Sequence, residues 1–357
     1  MAKNENRGPH LRTKFVFIDT QAFRRARFDW NGRSLSKLVE FAKQGQLRLL
    51  VTDVTVGEVK SQIQELLAEA NSSIIKHSGI LEQLGASVAI DRVRDQVTAL
   101  GTLEAAFDEF LKRTNAVSVP LISDVKGVLA DYFARRPPFS AKKKAEFPDA
   151  ISIASVRLWC QQNRSTAYIV SEDPDLRECC SEAGPLFHAE SIAQIISQAT
   201  VSQELHDALE KALRASEYLS ERLAEEIKDL DVDISRSSFH GRGGIEAAKI
   251  DDVHSVNITS LNVLEQQEQT FTCEPEIEAE ISLEIDVEIE GRFGYGGPDD
   301  YEPSQRYSIS QSRTEYFYPE VVVRFDPSTG DLEFESISLG TQSVQVGIDD
   351  VEGHLHR

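Results

Sequence analysis

Long apolar runs are missing from this sequence. None approaches the roughly 18–20 residues that a membrane-spanning helix requires. The first ten residues, MAKNENRGPH, are polar and contain no apolar signal-peptide core. A cytoplasmic location, with no membrane attachment, is the expectation. Cysteine is scarce: Cys160, Cys179, Cys180 and Cys273 are the four, and their spacing matches no zinc-binding pattern. The neighbouring pair Cys179-Cys180 reads as two small helix residues in a reducing compartment. Gly241, Gly243 and Gly244 follow no buried strand, which argues against a phosphate-cradling or dinucleotide-binding turn. A Gly-x-Ser-x-Gly nucleophile elbow is also absent.

Positive charge is missing from one half only. Residues 1–200 hold 26 Lys and Arg against 24 Asp and Glu, a balance of +2. Residues 201–357 hold 12 against 35, a balance of −23, and together these make the net −21. The front half can meet a polyanion through local patches, whereas the back half repels one. The length suits two domains. We expect one over 1–200, a connecting helix and linker over 201–249, and an acidic β-rich domain over 250–357.

The front half alternates strand-like and helix-like segments, the pattern of an α/β fold with a mostly parallel sheet and helices on both faces. Strands are expected over 14–19, 46–52 and 166–171, with a short one near 186–188. Helices are expected over 34–44, 54–70, 149–163, 175–183 and 191–199. The stretch 73–134 reads as helical, interrupted at Pro120. Ligand-binding residues of such sheets gather at the carboxyl ends of the strands. Asp19 ends the apolar run Phe15–Ile18, and Glu58 follows the run Leu47–Val51. Asp149 opens a helix after Phe147-Pro148, and Asp173 follows the run Ala167–Ser171. Four carboxylates gathered at one place repel one another unless a divalent cation holds them. That is the chemistry of a metal-dependent phosphodiesterase. The bland readings are helix capping or a first-turn acid for Asp149 and Asp175, and a solvated helix face for Glu58.

The segments Phe15–Thr20 (FVFIDT), Val54–Val59 (VTVGEV), Lys144–Ala154 (KAEFPDAISIA) and Ile169–Leu176 (IVSEDPDL), in this order, resemble the PIN-domain nucleases. The likeness is to the bacterial branch with a long helical insertion before its third acid, and it spans about residues 12–200. It implies an αβα fold with Asp19, Glu58, Asp149 and Asp173 as catalytic metal ligands for Mg2+ or Mn2+. Glu172 stands where the family's fourth motif carries Asn, so Asp175 is a further ligand candidate. Thr20 and Ser171 carry hydroxyls suited to orienting those carboxylates. A haloacid dehalogenase phosphatase is disfavoured, because Gln21 occupies the place of its second Asp.

Two basic groups are the candidate substrate contacts: Arg24 and Arg25 (with Arg27) after Asp19, and Arg135, Arg136, Lys142, Lys143 and Lys144 before Asp149. Phe133 and Phe139 interleave with the second group, and either could stack a base of a single strand. That stretch points to a single-stranded nucleic acid, and the resemblance implies an endoribonuclease acting on RNA, in the setting of a toxin or of phage defence. The alternatives are a non-catalytic PIN scaffold that binds nucleic acid or protein, and a structure-specific DNA nuclease.

In the back half, residues 276–290 alternate apolar and acidic positions almost without fault, the period of a strand with one apolar face. Its acidic face reads as a solvated, aggregation-resisting surface, with a calcium site or a cover for the basic patch as sharper readings. Further strands are expected over 253–264, 316–325, 331–339 and 342–348, with a turn at Pro327–Gly330. Residues 291–314 read as a long loop. Residues 202–229 read as one charged helix with a stripe of Leu205, Leu209, Ala212, Leu213, Leu219, Leu223 and Ile227, suited to packing on a domain or to a homodimer. A regulatory protein is the other partner considered for this half.

Overall fold

Apolar runs that are buried on both faces build the first half of the chain. A computed structural model describes residues 11–83, 90, 91, 93, 95–139, 146–181, 183–234, 243–289, 292, 293, 301, 302, 304–347 and 351. The chain divides into two compact units, residues 1–202 and 203–357.

In the first unit the order is β1 (Phe15–Ile18), α1 (Thr20–Arg25), α2 (Arg33–Lys43), β2 (Arg48–Thr52), α3 (Asp53–Gln83), α4 (Gln96–Arg113), β3 (Val117–Val119), α5 (Lys126–Ala134), α6 (Phe147–Gln162), β4 (Ala167–Val170), α7 (Pro174–Glu178), β5 (Leu186–Ala189) and α8 (Ile192–Thr200). The five strands form one parallel sheet in the order β3-β2-β1-β4-β5. Strands of such a sheet are covered on both faces, which is why they read as unbroken apolar runs. Phe17 joins Leu50, Ile169, Ile153 and Val156 in the layer beneath α6. Val16 and Ile18, which point the other way, are equally buried. Trp30 locks α1 against α4: its ring lies 5.0 Å from both Phe107 and Phe110, and Phe23 packs edge-on to Phe110.

The expected helical stretch 73–134 proves to contain the short strand β3, and α7 is shorter than expected. Three residues, Val117-Ser118-Val119, are too few for an alternation to register against the helices around them. The chain reverses direction across the sheet between β1 and β4. In sheets of this topology that crevice is where ligands bind.

The second unit starts with α9 (Gln203–Arg214) and α10 (Glu217–Lys228). The expected single helix is therefore two. Ser216 ends the first and caps the second, its hydroxyl accepting from the Leu219 N–H. Leu209, Leu213, Leu219, Leu223 and Ile227 are all buried, and both helices pack on β7 (Gly243–Gln267). The stripe is thus spent on its own unit. β7 pairs antiparallel with β8 (Thr270–Ile289) along its full length, with register breaks at Ile245/Ala247, Ile250/Asp252, Val253/Ser255, Ile258/Ser260 and Val263/Glu265. Each such bulge adds a residue and bends the strand, which lets a pair this long curl round its apolar face.

The other edge of β8 is shared. β11 (Gln305–Phe317) takes residues 277–289, and β12 (Glu320–Phe325) takes 270–273 and continues to β13 (Leu332–Ser338). Short pairs complete the unit: β9 (Arg292–Phe293) with β10 (Tyr301–Glu302), and β6 (Val232–Ile234) with β14 (Val344–Val346). The unit is mostly antiparallel β.

Much of the expected loop 291–314 is therefore the strand β11. Its sequence, QRYSISQSRTEYF, has little apolar alternation because most of its residues are polar or exposed, and only its pairing to β8 identifies it. Gly330 turns the β12–β13 connection at φ +81°, as expected for Pro327–Gly330. The acidic face of β8 is answered within its own sheet. Lys249 and Ser308 meet Glu284, Tyr316 meets Glu278, and Tyr318 meets Glu276. Parts of the expected linker (235–242) and of the basic stretch (140–145, with Lys142, Lys143 and Lys144) lie outside the described residues. Among the described residues no helix is long and apolar enough to cross a membrane.

Candidate metal-dependent active site

The carboxyl ends of β1, β2 and β4 and the start of α6 converge on one acidic cluster. Asp19 follows β1 directly and is 8% exposed. Its backbone N–H bonds to the Val170 carbonyl of β4 at 3.0 Å, which fixes it in the crevice between the two strands. The Ser171 hydroxyl donates to Asp19 Oδ2 at 2.9 Å. The same hydroxyl oxygen accepts the Asp173 N–H at 3.1 Å, so Ser171 ties the β1 acid to the β4 loop. Ser171 is held in turn by His188, whose Nε2 lies 2.7 Å from the Ser171 carbonyl oxygen. Burial lowers the His188 pKa, in keeping with a neutral ring donating to that carbonyl.

Glu58 lies on α3 one turn beyond β2. Its Oε2 accepts the Thr20 hydroxyl at 2.9 Å. Behind it, Thr52, Thr55 and Ser152 form a buried chain of hydroxyls at 2.9 and 3.1 Å. That chain joins the end of β2 to the start of α3 and to α6, the helices that carry Glu58 and Asp149.

The electrostatics record the crowding. Burial pushes the Asp149 carboxyl up to about 7, reinforced by the negative charges of Asp19, Glu58, Glu146 and Asp173. Burial also raises Asp19; the Ser171 bond opposes this and the Asp173 charge adds to it. Glu58 is raised by burial, with the Thr20 bond opposing and the Asp19 charge adding. The direction is the opposite of what helix capping alone would give Asp149. A first-turn acid stabilised only by a helix N-terminus is favoured in its charged form, whereas Asp149 is pushed the other way. Asp173 does act as a cap: its Oδ1 accepts the Asp175 N–H at 2.8 Å, opening α7. Capping uses one oxygen and leaves the carboxylate in the cluster. Glu146, Asp173 and Asp175 each offer an oxygen within 4.8 Å of the others.

The donor set is all oxygen, negatively charged and partly desolvated. This suits a hard divalent ion such as Mg2+ or Mn2+ and offers nothing to soft metals. The sequence pattern of the PIN domain fits residues 16–176. Residues 16–176 are a PIN domain. Comparisons with curated proteins and with solved structures give no match. The C-terminal region has no assigned family.

Around the PIN domain's acids, the candidate substrate cations differ in state. Arg24 and Arg135 are exposed. Arg25 is engaged by Glu172, the residue standing in the family's Asn position. Arg136 pairs with Asp131 at 2.7 Å. Phe139, one of the two expected stacking residues, is buried against Tyr132 and Phe147 and cannot meet a base. Phe133 is 79% exposed.

The sequence reading missed Glu146, His188 and the Thr52–Thr55–Ser152 chain. Glu146 was legible as an acid three residues before Asp149. The hydroxyl chain was legible only as hydroxyl residues placed just after a strand and one turn into α6. Burial pushes Cys160 and Cys180 up to about 11 and Cys179 up to about 12, far from the thiolate range.

Proposed function

We propose that the PIN domain hydrolyses RNA phosphodiester bonds internally, using Mg2+ or Mn2+ held by Asp19, Glu58, Asp149, Asp173 and Asp175. The observation that carries this reading is the convergence of four acids from four separate segments on one crevice, where Asp149 is raised to about 7. A bound divalent ion supplies charge stabilisation to the phosphate oxygens and acidifies water. The chain's own residues do the rest. Ser171 and Thr20 aim the carboxylates of Asp19 and Glu58. The hydroxyl chain holds α3 and α6 in register with the sheet. Arg24 and Arg135 offer charge to flanking phosphates, and Phe133 offers an exposed ring for a base. The preference for RNA rests on the family resemblance, as does the setting of a toxin or of phage defence.

The test uses RNA and DNA strands of identical sequence, labelled at one end and incubated with the full chain and Mn2+. Internal RNA fragments that are absent with chelator and with Asp149→Asn support the proposal. Cleavage of DNA alone supports the structure-specific DNA nuclease. Binding without cleavage of either strand supports the scaffold reading.

A further inference from the structure

Helix α9, in the second unit, carries a separate set of ligand-type groups. His206, Asp207 and Glu210 each present one atom, all within 4.8 Å of one another. The fold fixes the histidine. Its Nε2 lies 2.8 Å from the Leu261 carbonyl oxygen of β7. A carbonyl oxygen only accepts, so Nε2 carries the ring proton and a neutral ring leaves its lone pair on Nδ1. Nδ1 is buried and has no hydrogen-bond partner. It faces Asp207 Oδ1 at 3.5 Å and Glu210 Oε2 at 3.9 Å.

Those distances discriminate. An N–H···O bond brings the heavy atoms to about 2.7–3.2 Å, so neither carboxylate is hydrogen-bonded to Nδ1. Nitrogen and oxygen ligands set tetrahedrally about an ion at ~2.0–2.1 Å stand roughly 3.4 Å apart. The Asp207 gap lies near that spacing, and the Glu210 gap is about half an ångström wider, a closure the ion would have to draw in. The outer contacts also fit. Gln203 donates to Asp207 Oδ1 at 2.7 Å. Arg214 donates to Glu210 Oε1 at 2.6 Å while reaching the Thr259 carbonyl of β7. A histidine donating its second N–H to a carbonyl, beside carboxylates oriented by neighbours, is how protein metal sites hold their ligands.

We propose that His206, Asp207 and Glu210 form a divalent metal site in the second unit, taking a borderline ion such as Zn2+ with water completing its shell. One imidazole nitrogen with two carboxylates favours Zn2+ over Mg2+, which separates this site from the all-oxygen cluster of the PIN domain. Because His206 is bonded to β7, the ion would fasten α9 to that strand.

The test is equilibrium dialysis of the full chain against Zn2+, with Co2+ as a spectroscopic probe, in an Asp19→Asn/Asp149→Asn background that disables the first cluster. The expected result is one bound ion whose Co2+ visible bands vanish in His206→Gln. In Glu210→Gln the affinity should fall by at least about tenfold. His254→Gln is the control: His254 likewise has its Nε2 engaged, by Ser282, and its Nδ1 3.5 Å from one carboxylate, Asp252, but no second carboxylate completes a ligand group with it among the described residues, and uptake should be unchanged. No uptake in the background, or uptake identical in His206→Gln, overturns the proposal. If His206→Gln loses the native circular dichroism, Glu210→Gln decides alone, because it leaves the Leu261 bond intact. Unchanged affinity in that folded variant overturns the proposal equally.

Discussion

Replacing Asp149 by Asn should stabilise the metal-free protein, and by an amount that depends on pH. In the folded chain the Asp149 carboxyl is raised from 3.8 to about 7, by burial first and then by the charges of Asp19, Glu58, Glu146 and Asp173. A folded-state pKa above the unfolded one means that the native state holds its proton more tightly. The resulting penalty is absent below about pH 3.8, grows as pH rises toward 7, and is constant above that. About three units at ~1.4 kcal/mol each sets a ceiling near 4 kcal/mol. Asp149 keeps some contact with water, and screening reduces this to roughly 1–3 kcal/mol. For a unit of this size that is on the order of 2–10 °C in melting midpoint. The assay is thermal unfolding of wild type and Asp149→Asn in chelator, at about pH 8 and about pH 4.5, where the penalty is mostly relieved. The variant should melt higher at the upper pH, with a much smaller gap at the lower. Mn2+ at saturation should raise the wild type by mass action and the variant far less. An equal or lower midpoint for the variant at the upper pH, or a gap independent of pH, would refute the crowded-carboxylate account.

Three further outcomes are expected. Ser171→Ala, which removes the hydroxyl on Asp19, should lower cleavage by about 10–100-fold through a weaker apparent Mn2+ affinity, measured as activity against Mn2+ concentration. Phe133→Ala should weaken single-strand binding by about 1–3 kcal/mol, whereas truncating the buried Phe139 should act on stability, costing about 3–5 kcal/mol in a melting experiment. Neutralising Arg24 and Arg135 together should reduce the slope of log K against log salt by roughly 0.7 for each lost phosphate contact; an unchanged slope would remove both from the RNA path.

The parts of the fold that were legible in the sequence are those where burial is complete. Phe15–Ile18, Leu49–Thr52 and Ala167–Val170 read as strands because a parallel sheet covered on both faces demands unbroken apolar runs. Asp19 and Asp173 were legible because they stand immediately past such runs. β11 was not legible, since most of its side chains are polar or exposed and its identity comes from its ladder with β8. The break between α9 and α10 was hidden because the apolar stripe continues through Ser216 in phase. No one-dimensional pattern separates Phe133 from Phe139; only packing against Tyr132 and Phe147 does. Glu146 went unremarked because an acid at the start of a helix is unexceptional until Asp149, Asp173 and Asp175 are placed near it. His206 was invisible for a similar reason: its partner, Leu261, lies 55 residues away on β7.

The central claim is that Asp19, Glu58, Asp149 and Asp173 act together as one metal-dependent hydrolytic site. Single-turnover cleavage of a labelled single-stranded RNA, followed across a Mn2+ titration for wild type, Asp19→Asn and Asp149→Asn, tests it most directly. The account predicts saturable, Mn2+-dependent internal cleavage by the wild type and its loss in both variants while each keeps a native circular dichroism spectrum. Cleavage at undiminished rate by both variants, or by the wild type in excess chelator, would contradict it.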